Sequence, residues 1–344
     1  MKTNAKICIS RMDKMGDMIL SLPAIQAIKI ANPNTEISII ASKNNRELLK
    51  NIDYIDNYIF VNTELSLIDF LKNLFFLRKK KYDLFLNFSP TFLSYFYCFF
   101  SKADKKGVLI FLSRYKKKLF SKINYRLLSK IFCNYIFIVN RYLLLKNNKE
   151  IHQTKIIFEL LKLSNVNFYK DTNIKIVLPK KKLNITNNKK KLITIHLSNK
   201  WINKYYSEES FFKLIAKLPT KKINYALTTD KDTKLKFKKI YKKFNILSND
   251  KFDDLNILRN DFTIFDKLKF ENWKKVIFSS DLIITPECGC SHMAAACETP
   301  VIIIYDADNL PEAISKEYYP WKSKYKKLIS NDRNLNKKII EGLT

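Results

Sequence analysis

Glycine is nearly absent: Gly16, Gly107, Gly289 and Gly342 are the only four in 344 residues. Neither a G-x-G-x-x-G dinucleotide loop nor a P-loop can be assembled from them. NAD-dependent dehydrogenases and P-loop NTPases are thereby excluded. Arginine is scarce as well (Arg11, Arg46, Arg78, Arg114, Arg126, Arg141, Arg259 and Arg333), although Lys and Arg total 63 against 32 Asp and Glu, a net charge of +31. Sequence-specific nucleic-acid readers lean on the planar guanidinium. A lysine-borne charge with no recognisable binding module therefore argues against a nucleic-acid partner. Two sources of the charge stay open: the Lys, Ile and Asn bias of an AT-rich genome, or an acidic partner such as an anionic membrane face or a phosphorylated glycolipid. Long apolar runs are missing too. The longest uncharged stretch, Leu84 to Ser101, contains Asn87, Ser89, Pro90, Thr91 and Ser94, and reads as a strand followed by a helix rather than a membrane span. The opening MKTNAKICIS enters a strand-like run with no signal-peptide pattern, and six cysteines suit a reducing compartment. A cytoplasmic location is expected.

Hydrophobic residues make up 47% and aromatics 13% of the chain, enough to bury sizeable cores. Strand-like runs alternate with helical patterns: KICIS (6–10), EISIIAS (36–42), YIFVN (58–62) and DLFLNF (83–88) in the first half. KLITIHLS (191–198), INYALTT (223–229), DLIITP (281–286) and PVIIIYD (300–306) follow in the second. Such alternation predicts α/β architecture with parallel sheets covered on both faces. Residues 179–191 are polar and aperiodic and read as a linker between domains at 1–178 and 192–344. The last helix is expected to pack back on the first domain. Residues 100–180 offer few signals. Two Rossmann-like halves predict sheets facing across a cleft, with ligands beyond the carboxyl ends of the strands.

Three loops at such ends carry candidate chemistry. In the first, Ser10 to Asp17, Gly16 is expected to allow a tight turn and Asp17 to sit at a helix start. The plainer reading makes Asp17 a helix cap. In the second, Thr285 to His292, a strand meets the small-residue helix Met293 to Cys297. A helix N-terminus of this kind suits a diphosphate, and Glu287 is placed to accept sugar or ribose hydroxyls. The plainer readings make Ser291 an N-cap and His292 a surface residue. Cys288, Cys290, His292 and Cys297 also raise a zinc reading, but C-x-C converges poorly, and five positions on a helix put His292 and Cys297 roughly 140° apart. The third loop, His196 to Ser207, offers Ser198, Asn199 and Lys204 for phosphate binding.

Together these loops resemble glycosyltransferase family nine, the lipopolysaccharide heptosyltransferases. Met15-Gly16-Asp17 followed by Ser21-Leu22-Pro23 is similar to that family's opening turn and helix. Asn32-Pro33-Asn34 and Tyr82-Asp83-Leu84 are similar to its approaches to strands two and four. Glu287 to Ala296, followed by Pro300-Val301, resembles its D-[ST]-G-x-x-H-x-A-A-A signature. The resemblance implies a GT-B fold and inverting transfer from a nucleotide-activated heptose, usually ADP-linked, to a glycolipid acceptor. It implies Asp17 as general base, with Met15 and Gly16 on the acceptor side. Ser198, Asn199, Lys204, Glu287, Cys288, Gly289, Cys290, Ser291 and His292 would then hold the donor, with no obligatory cofactor or divalent metal. Glu287 in place of the family's Asp, Tyr206 in place of its Trp, and Cys288 and Cys290 within the signature leave the donor sugar open. A GT-B epimerase or a transferase acting on a soluble acceptor would share these features.

A last expectation concerns the membrane. The helix at 91–100 is apolar nearly all round, with Phe92, Tyr95, Phe96 and Phe99 on one face and Leu93, Tyr97 and Phe100 on another, so it is either buried or in lipid contact. Lys118, Lys122, Arg126 and Lys130 then recur every four residues beside Leu119, Ile123, Leu127 and Ile131, the pattern of a helix lying on an anionic surface. Peripheral contact with the inner membrane is expected from it. Core aromatics and solvated lysines are the plainer reading.

Overall fold

Six parallel strands build the first sheet: β1 (Lys6–Arg11), β2 (Glu36–Ser42), β3 (Asn57–Val61), β4 (Tyr82–Asn87), β5 (Ala103–Phe111) and β6 (Tyr135–Val139). Their order is β3-β2-β1-β4-β5-β6. The central strands read as near-continuous apolar runs because helices cover both of their faces. Ile7, Ile9, Ile37, Ile39, Phe85 and Leu86 are fully buried. Strand order reverses beside β1, which pairs with β2 on one side and β4 on the other, Ile7 facing Ile37 and Leu84.

This sheet belongs to the first of two units in the computed structural model, Met1–Val177 and Leu178–Thr344. The residues described are 4–62, 67–112, 119–147, 152–183, 190–229, 233–249, 252 and 260–343. Residues 184–189 of the sequence-predicted linker lie outside them, as does Lys118.

The first unit's helices are α1 (Met15–Ile19), α2 (Leu22–Ala31), α3 (Arg46–Leu49), α4 (Leu67–Lys79), α5 (Phe92–Phe100), α6 (Leu119–Phe132), α7 (Arg141–Lys146) and α8 (Gln153–Leu163). Helices α4, α5 and α6 share one core with Cys8, Tyr82, Phe85, Val108 and Ile110 of the sheet. Among its described residues the stretch 100–180, poor in sequence signals, thus holds strands β5 and β6 and helices α6, α7 and α8. Gly107 lies in β5 because a Cβ there would meet Ser164 Oγ at 2.8 Å and Leu86 Cδ2 at 3.0 Å.

The second sheet has seven parallel strands: β7 (Lys191–Leu197), β8 (Ile223–Thr229), β9 (Asn245–Leu247), β10 (Phe262–Phe265), β11 (Leu282–Pro286), β12 (Val301–Tyr305) and β13 (Tyr325–Ile329). The order β13-β12-β11-β7-β8-β10-β9 again reverses at the unit's first strand, between β8 and β11. Around it lie α9 (Glu208–Ala216), α10 (Thr233–Lys236), α11 (Lys238–Lys243), α12 (Phe270–Ser279), α13 (Gly289–Ala296), α14 (Pro311–Glu317) and α15 (Leu335–Glu341). Ser207 caps α9 by accepting the Ser210 N–H. The last helix spends its apolar face on this unit's own core, where Leu335, Ile339 and Leu343 join Ile302, Ile304 and Leu328. Gly342 fits closely there, since a Cβ would lie 2.6 Å from Ile302 Cδ1. Each unit is a Rossmann-like α/β sheet, and the two together have the composition of a GT-B fold.

Candidate functional site

In the first unit the sequence-selected loop leaves β1 at the strand-order reversal, where open α/β sheets bind ligands. No tight turn occurs at Gly16. That residue is buried inside the short helix α1, and none of the four glycines has a positive φ. Gly16 does not supply the left-handed backbone freedom expected of it.

Asp17 is held by a partner that sequence reasoning did not single out. Arg11, the last residue of β1, has a fully buried side chain. Its Nη2 lies 3.1 Å from Asp17 Oδ1, and its Nη1 lies 3.8 Å from Asp13 Oδ2. Nε donates to the Asp17 carbonyl at 3.2 Å, and Nη1 donates to the Phe88 carbonyl. Ser21 Oγ also donates to the Asp17 carbonyl, at 2.8 Å. The β4 end closes the cluster: Ser89 Oγ donates to Asp13 and accepts the Met12 N–H at 2.7 Å. A buried guanidinium thus sits between two carboxylates, the arrangement in which burial of charge is tolerated. The Asp17 side chain remains 16% exposed, and its Oδ2 is not the oxygen that Arg11 engages. Asp17 does not cap α1, because Lys14 occupies the N-cap position. Met15 is half-buried beside it.

In the second unit, two of the selected loops leave β7 and β11, which are neighbours in the sheet. Helix α13 begins at Gly289 with Cys288 as N-cap, whose side chain makes no capping bond. Ser291 is therefore inside the first turn, and its hydroxyl donates to the Cys288 carbonyl at 2.8 Å. The Cys288 Sγ meets Thr285 Oγ1 at 3.3 Å. Cys290 is buried. His292 is not a surface residue: it is 2% exposed, its ring 6.4 Å from that of Tyr318. Amides of a helix's first turn lack intrahelical acceptors and carry the positive end of the helix dipole. Cys297 closes the helix in an apolar setting, where burial pushes its thiol up to about 12.

Two lysines tie these strand ends together. Lys200, not selected from the sequence, donates to Glu287 Oε2 at 2.7 Å and also to the Glu287 carbonyl. Lys204 pairs with Asp306 at the end of β12. Both lysines come from the turn after β7, where Trp201–Tyr205 forms a π-helical turn, a conformation frequent at functional sites. Trp201 anchors the turn from below, its indole N–H donating to the His196 carbonyl at 2.8 Å. Burial opposes ionisation of Asp306, but the hydrogen bond from Lys204, the Asp308 N–H and the charge of Lys200 outweigh it and hold the carboxyl below its usual range. Burial, with the Asp306, Glu287 and Cys288 charges beside it, pushes the Tyr205 hydroxyl well above its usual range. Ser198 is buried and accepts the Lys200 N–H at 3.4 Å. The Asn199 Oδ1 is buried without a hydrogen-bond partner. Tyr206 packs 5.9 Å from the Trp201 ring and donates to Asn336. The signal for Lys200 and Asp306 was present: each follows a strand end by one to three residues.

A family profile described as glycosyltransferase family 9 (heptosyltransferase) matches residues 76–341. No curated protein matches the sequence. Among solved structures, the fold is similar to a family 9 glycosyl transferase of Veillonella parvula, with TM-score 0.72, 13% identity, and coverage of 100% of this chain and 90% of that one. The E. coli heptosyltransferase WaaC with ADP aligns at TM-score 0.68 and 14% identity over 98% of both chains. E. coli ADP-heptose LPS heptosyltransferase II aligns at TM-score 0.61 and 14% identity over 98% of this chain and 97% of that one. Identities this low carry the fold alone, but the profile spans well over half of the chain. The protein belongs to glycosyltransferase family 9, the heptosyltransferases, and is a glycosyltransferase of GT-B fold.

Proposed function

We propose that the protein transfers a heptose or related sugar from a nucleoside-diphosphate donor to a glycolipid acceptor of the lipopolysaccharide-core type, with inversion at the anomeric carbon. The observation that carries this reading is the second unit's charged rim: an N-terminus of α13 without side-chain cap, flanked by Lys200 and Lys204. Such a rim attracts a diphosphate through amides, dipole and ammonium groups. Glu287 and Asp306 accept hydroxyls of sugar or ribose. Ser198, Asn199 and the residues 288–292 complete the donor side.

Asp17 takes the proton of the acceptor hydroxyl as that oxygen bonds to the anomeric carbon. The bond from that carbon to the diphosphate oxygen breaks, and the electron pair leaves with the nucleoside diphosphate. The positive groups around α13 stabilise the departing charge, so a divalent ion is not required. Met15 and Gly16 lie on the acceptor side. The acceptor keeps its acyl chains in a bilayer, and the enzyme works as a peripheral protein at the cytoplasmic face of the membrane.

A nucleotide-sugar panel read by thermal shift tests the donor: ADP-heptose stabilises the protein, and EDTA leaves its turnover intact. Asp17→Asn retains donor binding and loses about 10²–10⁴ in turnover. Normal turnover by that variant would remove Asp17 from the chemistry, and stabilisation by UDP-sugars alone would replace the donor.

A further inference from the structure

On the outward side of α4, α5 and α6 the first unit leaves an apolar face that its own core does not use. The sequence expectation for α5 divides differently in the structure. Tyr95, Tyr97, Cys98 and Phe99 are buried against the sheet. Phe92, Phe96 and Phe100, spaced by four residues along one stripe, form the outer line, with Phe92 60% and Phe100 38% exposed. The rings run on along the stripe as tilted pairs, Phe92 to Phe96 at 4.2 Å and Phe96 to Phe100 at 5.6 Å. It touches both neighbours: Phe70 of α4 lies 6.3 Å from Phe96, and Phe132 of α6 lies 5.7 Å from Phe100. Helix α4 adds Ile68, Leu71, Phe75 and Phe76, each more than half exposed. Helix α6 adds Leu127 and Ile131, 56% and 67% exposed. Among the side chains whose exposure is described, every exposed Phe lies on α4 or α5. Scattered single apolar residues need no explanation, but a contiguous face of this kind marks an interaction surface.

Its charges identify the occupant. The exposed basic side chains are Lys72, Arg78 and Lys79 on α4 and Arg126 and Lys130 on α6, against the single acid Asp69. Lys79 lies over the Phe75 ring at 4.9 Å, and Arg78 donates to the Phe100 carbonyl at 3.1 Å, so cations sit beside the aromatics. The Lys122 side chain lies outside the described residues. Aromatic and aliphatic wedges among cations suit an anionic bilayer, where rings enter the headgroup boundary and ammonium groups meet phosphates. No helix among the described residues is long and apolar enough to cross a membrane.

We infer that the α4–α5–α6 face seats the protein on an anionic phospholipid surface, with the α5 phenylalanine stripe as the inserted ridge. The stripe starts three residues after Ser89, whose hydroxyl bonds to Asp13 beside Asp17. Docking therefore brings the acceptor-side loop to the bilayer. The inference rests on the glycolipid reading for its purpose, but not for its measurement.

The test is co-sedimentation of the full chain with vesicles of phosphatidylcholine alone and with roughly one-third phosphatidylglycerol. Wild type binds the anionic vesicles only and is released as salt shortens the Debye length to about 8 Å and below. Phe75→Ser/Phe92→Ser/Ile131→Ser and Lys79→Glu/Arg126→Glu/Lys130→Glu each lose at least about tenfold in partitioning. Lys234→Glu/Lys238→Glu/Lys242→Glu, an equal charge change on exposed positions of the second unit, loses less than about threefold. Melting temperatures confirm that all three fold. Equal losses for both charge reversals would reduce the effect to net charge and overturn the assignment. So would undiminished binding by the Ser variant, or lipid-free dimers that the Ser variant dissolves. Transfer from each nucleotide-sugar to a lipopolysaccharide-core glycolipid carried in the same vesicles is followed in parallel. If none is transferred while vesicle binding behaves as stated, the docking face stands and the glycolipid-acceptor reading falls.

Discussion

Arg11→Met removes the one cation between Asp13 and Asp17 while keeping most of the side chain's volume. The guanidinium makes four contacts, two to carboxylates at 3.1 and 3.8 Å and two to the carbonyls of Asp17 and Phe88. Breaking a buried pair by removing one partner costs about 3–5 kcal/mol, because the other charge is left uncompensated. The carboxylates here are 8% and 16% exposed, so water relieves part of that cost. The loss should fall near the lower end, about 3 kcal/mol. For a unit the size of Met1–Val177, this corresponds to a melting shift of roughly 6–12 °C. Urea titration and calorimetry measure it. The double variant Arg11→Met/Asp17→Asn should recover about 1–2 kcal/mol of the loss, since one stranded charge is removed. A single-variant loss below about 1 kcal/mol, or additivity in the double variant, would refute the claim that Arg11 neutralises this cluster.

Three further outcomes follow. Lys204→Ala should weaken nucleotide-diphosphate binding by calorimetry at least about tenfold, because it removes a cation and strips Asp306 of its partner, whereas Asp306→Asn should tighten it. Unchanged affinity in both would detach this pair from the donor. Replacing Gly289 by Leu at the start of α13 should also weaken the nucleotide, since bulk there blocks approach to the first-turn amides; unaltered binding would move the diphosphate elsewhere. The last concerns pH. Asp306 is held below its usual range, so its ionised form favours the folded state above the unfolded value of about 3.9, and that stability is lost as pH falls through the lower folded value. Wild type should exceed Asp306→Asn by only about 0.5–1 kcal/mol at neutral pH, because Lys204 remains 44% exposed. The difference should vanish in acid, and a constant difference across pH would contradict the pairing.

Strands buried on both faces announce themselves as apolar runs, which is why β1, β2, β4, β7, β8, β11 and β12 were legible within a residue or two. Strand β13, Tyr-Lys-Lys-Leu-Ile, was not. It lies at the sheet edge with its first three residues exposed, and edge strands carry lysines that mask the pattern. Strand β10 has only four residues, too few for a period to show. The α5 faces were misdivided because every position but Ser94 is apolar or aromatic, and only packing against α4 and α6 decides which ring stays outside.

Side-chain partnerships were the least legible part of the site, for a topological reason. Lys200 meets Glu287 across 87 positions and Lys204 meets Asp306 across 102. Parallel strands bring these residues together through crossovers that no local pattern encodes. Arg11 was hidden differently: a cation ending an apolar strand looks solvated until β4 delivers the Phe88 carbonyl to it. The pairings also change what the lysines mean. Each lysine at the donor-side rim already has a carboxylate, so Lys200, Lys204, Glu287 and Asp306 sum to zero before a ligand arrives. An incoming diphosphate must therefore either displace a carboxylate from its lysine or share the lysine with it. On the proposed donor reading, Glu287 and Asp306 turn from their lysines toward hydroxyls as the phosphates take their place. On this account sugar specificity and phosphate affinity are coupled through the same two ion pairs, and the methylene that Glu287 adds over Asp acts on both.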